Sequence, residues 1–94
     1  MSADINEPTV FIVDDDPTIR IAMQALMDSV NLRHEILPSA DEFLARHGDQ
    51  QTPGCLVLDI RMPGMSGLEL QDRLRSSFNH LPVIIVTGHG DVPI

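Results

Sequence analysis

Carboxylates dominate the residues able to do chemistry. Asp14, Asp15 and Asp16 stand in a row directly after the apolar run Val10-Phe11-Ile12-Val13, and Asp59 closes a second run, Cys55-Leu56-Val57-Leu58. A third run, Pro82 to Val86, ends on the hydroxyl of Thr87, followed by Gly88. An apolar strand gains nothing in packing from a terminal acid. Brought together, such acids repel by about 3 kcal/mol for two carboxylates ~5 Å apart at an effective dielectric of about 20. Protons or a cation must offset that. A few hard oxygen ligands with room for water suit Mg²⁺, whereas a Ca²⁺ loop spaces its acids alternately and uses more of them. A cation held by two or three groups keeps positions open for phosphoryl oxygens. Asp59 is then placed to act as a nucleophile and form an aspartyl phosphate. Thr87 would hydrogen-bond a phosphoryl oxygen, and Gly88 would leave the approach clear.

For these groups to meet, the strands that carry them must share one rim. The apolar runs read as buried strands. Between the first two lies Asp16 as N-cap with Pro17 at the first helical position. Ile19, Ala22, Met23, Leu26, Met27 and Val30 follow at helical spacing, which predicts a helix over 17–29 with this stripe as its core face. A weak strand over 33–37 comes next. Ser39 and Glu42 then form a capping box, opening a helix that Gly48 stops. Residues 49–54 read as a polar loop and 60–67 as a second loop. Leu68, Leu70 and Leu74 mark a helix over 67–76. The order β-α-β-α-β-α-β implies parallel pairing through crossovers. In a flavodoxin-like, doubly wound sheet the first and third strands are neighbours, and groups gather beyond the carboxyl ends. Asp15 and Asp59 would then lie side by side, with Asp14 close behind.

Composition narrows the partners. The 94 residues suit one small domain, read as 9–94 with a flexible lead-in over 1–8. A net charge of −8 argues against a nucleic-acid surface and favours a cation or a basic partner. All six basic residues are arginine (Arg20, Arg33, Arg46, Arg61, Arg73 and Arg75), and lysine is absent. Cys55 has no second cysteine to pair with and reads as a core residue in a reducing compartment. No run approaches the ~20 apolar residues of a membrane span and no signal-peptide pattern opens the chain, so the expectation is a cytoplasmic protein with no membrane contact. His34, His47, His80 and His89 share no ligand spacing and read as surface residues. Glu69 and Asp72 read as a solvated helix face.

Three stretches, VFIVDDDP (10–17), CLVLDIRMPGMSG (55–67) and VIIVTGHGD (83–91), together resemble the receiver domain of two-component response regulators. The resemblance covers about residues 9–94. Separations of 44 residues from Asp15 to Asp59 and 28 from Asp59 to Thr87 fit a receiver of this type. It implies that Asp59 is the phosphoacceptor, charged from a phosphohistidine on a sensor histidine kinase. Asp15, Asp59 and the backbone carbonyl of Arg61 would bind Mg²⁺ directly, with Asp14 acting through water. Thr87 would be the switch hydroxyl. Pro63, Gly67 and Gly88 would shape the loops, and the Arg61 side chain would tune phosphoryl lifetime. The stretch after Thr87 resembles receivers that precede a helix-turn-helix output domain, so any DNA contact would come through such a domain.

The chain departs from the resemblance in two respects. A receiver has five β/α units, and this sequence reads as truncated after the fourth strand. The family's lysine, at the end of the fifth strand, has no counterpart among 94 lysine-free residues. The reading therefore expects impaired phosphorylation, and self-association through uncovered apolar surface. The chain is not a conventional enzyme on this reading, although Mg²⁺-dependent phosphorylation and self-dephosphorylation belong to the intact domain. The alternative is a non-phosphorylated receiver-like binding or dimerisation module. An aspartyl phosphatase with a DxDx[TV] loop fits poorly, because Arg61 occupies the place of its second acid.

Overall fold

A computed structural model describes residues 7–48, 53–59, 65, 67–76 and 81–86. Within them the elements run β1 (Thr9–Val13), α1 (Pro17–Ser29), β2 (His34–Leu37), α2 (Ala40–His47), β3 (Gly54–Asp59), α3 (Gly67–Ser76) and β4 (Val83–Val86). The four strands form one parallel sheet in the order β2-β1-β3-β4. This is the flavodoxin-like arrangement, and it makes β1 and β3 central neighbours with Val13 opposite Leu58.

Helices α1 and α2 start where the sequence offers a cap. The Asp16 carboxylate accepts from the Thr18 N–H at 2.8 Å, and Pro17 sits in the first turn. Ser39 Oγ accepts from the Glu42 N–H at 3.1 Å. The other half of the expected capping box is not made: the Glu42 carboxylate turns instead to Arg46, at 2.7 Å, one helical turn on. Gly48 also differs from expectation. It keeps a right-handed helical φ of −58° rather than a left-handed stop, and its role is a close approach, since a Cβ there would stand 2.7 Å from the Leu44 carbonyl oxygen. The left-handed stop is used by α1, where Asn31 takes φ 58°. The N–H of Asn31 donates to Asp28 O and that of Leu32 to Met27 O, closing the helix with paired bonds.

Gly54, read from sequence as loop, opens β3. Its φ is +141°, and a Cβ would fall 1.8 Å from the Thr9 carbonyl oxygen, so β1 and β3 can close here only around glycine.

The core lies between the sheet and α2 and α3. Phe11, Val13, Leu37, Leu56 and Leu58 from the strands meet Ala40, Phe43, Leu70 and Leu74 from the helices. Phe11 and Phe43 pack edge to face at 5.5 Å. Leu68 falls off this face and is exposed, because Leu70 and Leu74 are four apart and position 68 is not. On the opposite face Ile12 and Met27 are buried, but Ile19, Leu26 and Val30 of the expected α1 core stripe are exposed. Cys55 is half-buried rather than in the core. His34 and His47 are not surface residues: their side chains are only 14% and 16% exposed. His47 packs on Phe11 and Phe43 and reaches Glu35 at 3.0 Å, while His34 contacts Gln24 at 2.7 Å.

Candidate metal centre

Because β1 and β3 are parallel neighbours, both end at the same rim. Asp59 is the last residue of β3, and Asp14 and Asp15 immediately follow β1. One carboxylate oxygen from each of Asp14, Asp15 and Asp59 lies within 4.8 Å of the other two. Asp59 is 2% and Asp14 6% exposed, whereas Asp15 stands more open to solvent.

The backbone around Asp14 is fixed from three sides. Its N–H donates to Leu37 O at 3.2 Å, extending the β1–β2 ladder by one residue. Its Oδ1 accepts from the Asp16 N–H at 2.9 Å, which bends the chain into α1. Its carbonyl oxygen accepts from Arg20 Nη1 at 2.9 Å, one turn into that helix. Burial pushes the Asp14 carboxyl above its ordinary 3.8, the Asp16 N–H pulls it back, and the charges of Asp59, Asp15 and Asp16 push it up again. Asp16, the third acid of the row, is used by the helix cap.

The donor set fits a small hard cation. Three carboxylates offer only oxygen, come from two strand ends, and are few enough to leave positions for water or a phosphoryl group. Two of them are buried and crowded, so neutralisation by a cation relieves an existing strain. Gly67 opens α3. Arg61, Pro63, Thr87 and Gly88, with His80 and His89, lie outside the described residues. Among the described residues no helix is long and apolar enough to cross a membrane.

Fold and rim together define a class: a doubly wound α/β domain whose site lies beyond the carboxyl ends of its strands, at an acid cluster. The chain belongs to the response regulator receiver domain family, which it matches over residues 10–94. It is 43% identical over 88 residues to the response regulator protein TmoT of Ectopseudomonas mendocina, spanning 94% of this chain and 40% of TmoT. It also resembles a crystal structure of FixJ-N, with a TM-score of 0.80 and 40% identity, covering 93% of this chain and 69% of that one. A solution structure of the beryllofluoride-activated NtrC receiver domain matches with a TM-score of 0.70 and 36% identity over 90% of this chain and 68% of that one. The chain thus spans about two-fifths of the length of TmoT.

Proposed function

We propose that this chain is a phosphoacceptor: Asp59 takes a phosphoryl group from a phosphohistidine on a sensor histidine kinase, with Mg²⁺ at the rim. The observation that carries the reading is the meeting of Asp14, Asp15 and Asp59, from two separate strand ends, within 4.8 Å. Asp15 and Asp59 are the direct ligands together with the Arg61 carbonyl, and Asp14, deeper and crowded, acts through water. Bound Mg²⁺ supplies charge neutralisation and a template for the phosphoryl oxygens.

The transfer balances simply. A carboxylate oxygen of Asp59 attacks phosphorus, the phosphorus–nitrogen bond to the kinase imidazole breaks, and an acyl phosphate is left on Asp59. Thr87 donates to a phosphoryl oxygen, and the loops shaped by Pro63, Gly67 and Gly88 respond. Residues 9–94 act as the receiver unit and 1–8 as its lead-in. With no lysine in the chain, the new phosphoryl charge lacks an ammonium partner, so labelling is slower than in a lysine-bearing receiver. The exposed apolar residues on the α1 side of the sheet favour self-association. Any transcriptional output belongs to a DNA-binding domain outside these residues, and the site of action is the cytoplasm.

Incubation with acetyl phosphate and Mg²⁺, read by intact mass, tests the reading. A single phosphoryl adduct that hydroxylamine removes and Asp59→Asn abolishes is expected. Absence of an adduct after prolonged incubation, or an adduct unaffected by Asp59→Asn, refutes it and favours the non-phosphorylated binding module.

A further inference from the structure

Beside the acid rim, a groove of about 350 Å³ runs between α1 and the edge strand β2, lined by Pro17, Arg20, Ile21, Gln24 and Ile36. That volume lies at the lower end of what small-molecule sites offer. Its walls are apolar. Ile21 is 71% exposed, an unusual position for a large aliphatic side chain, and it faces the groove with Ile36 and Pro17. Gln24 is held at the rim by its bonds to Asp28 and His34.

Among the described residues one charged group lines this groove. Arg33 pairs with Glu7, and Arg46 with Glu35 and Glu42. Arg20 makes no ion pair among the described residues; its one side-chain hydrogen bond there, from Nη1 to the Asp14 carbonyl oxygen, uses part of the guanidinium. The guanidinium lines the groove beside apolar walls, and its other donors make no hydrogen bond among the described residues. A forked cation next to an aliphatic wall selects a planar monoanion with an apolar body. A more highly charged anion such as phosphate fits less well, since its second charge finds no further cation among the described lining residues and is repelled more strongly by the nearby acids than a monoanion is.

We propose that the α1–β2 groove binds a small organic carboxylate with a compact apolar body, its carboxylate on Arg20 and its body against Pro17, Ile21 and Ile36. The net charge of −8 gives no long-range attraction, so affinity is local and modest, in the millimolar range. This binding does not depend on phosphorylation of Asp59.

Titration of the ¹⁵N-labelled 94-residue chain with benzoate and hexanoate, followed by amide shifts, tests it. Saturable shifts are expected at Arg20, Ile21, Gln24 and Ile36. Arg20→Gln should weaken binding by about tenfold or more, the loss expected for a hydrogen bond to a charged group. Ile21→Ser, at an exposed position that leaves the fold intact, should weaken it less. Benzamide, which has the body without the charge, should not saturate. Absence of saturable shifts at these residues overturns the proposal. So do equal binding of benzamide, equal binding by Arg20→Gln, and the same shifts produced by inorganic phosphate.

Discussion

The two faces of the sheet differ sharply. On the α2–α3 face, nine buried residues form one core in which Phe43, Leu37, Leu56, Leu58 and Leu70 are fully covered. On the α1 face, Ile36, Ile12, Val57 and Ile84 lie in register across the four strands, yet burial fades along the row. Ile12 is covered, Ile84 is 52% exposed, and Leu26 of α1 is 49% exposed. Both faces are written in the same apolar alphabet. Apolar periodicity therefore states which residues seek cover, and packing decides which of them obtain it.

This comparison can be broken by mutation. The largest effect is expected from Phe43→Ala, which empties the closed face and should cost about 3–5 kcal/mol in urea unfolding. A cost near that of a surface change would mean that the core is not where the structure puts it. Ser39→Ala removes the α2 cap and should cost about 1 kcal/mol. Leu26→Ser, on the open face, should change stability by less than about 0.5 kcal/mol in dilute protein. A larger loss that grows with protein concentration would show that α1 is covered by a second copy.

Asp14→Asn sharpens the contrast at the rim, where burial acts on a charge rather than on a methyl group. The Asp14 carboxyl is raised above its ordinary 3.8. The folded state therefore binds a proton more tightly than the unfolded state, and its penalty grows as pH rises through the folded value. Without metal, Asp14→Asn should raise the melting temperature at pH 7, and the gain should shrink as pH falls through that raised value. A variant less stable at pH 7 would contradict the assigned cause. Asparagine keeps the oxygen that accepts from Asp16, so the turn into α1 is preserved.

Much of this was legible in the sequence. The bounds of α1 and α3, the caps at Asp16 and Ser39, and the four parallel strands follow from short-range signals: a proline after an acid, a serine three residues before a glutamate, apolar runs between helical repeats. The approach of Asp59 to Asp14 and Asp15 follows from strand order, because parallel neighbours end at one rim. What escaped depends on contacts between distant segments. Nothing local to Gly54 shows that Thr9 passes within a Cβ's reach. The Asn31 stop was signalled only by an asparagine just past the helical repeat. His47 lacked ligand spacing, yet position 47 continues the repeat of Ala40, Phe43 and Leu44, which places it on the core face against Phe11. The α1 stripe was legible as apolar, but its exposure was not, since that depends on what else lies on the same sheet face.

The central claim is that acids from two strand ends jointly hold Mg²⁺. Isothermal titration of Mg²⁺ into the chain, beside Asp15→Asn and Asp59→Asn, tests it most directly. One saturable site, lost or weakened by about tenfold or more in each variant, is the predicted result. No saturable binding, or binding that survives both substitutions, would contradict the account.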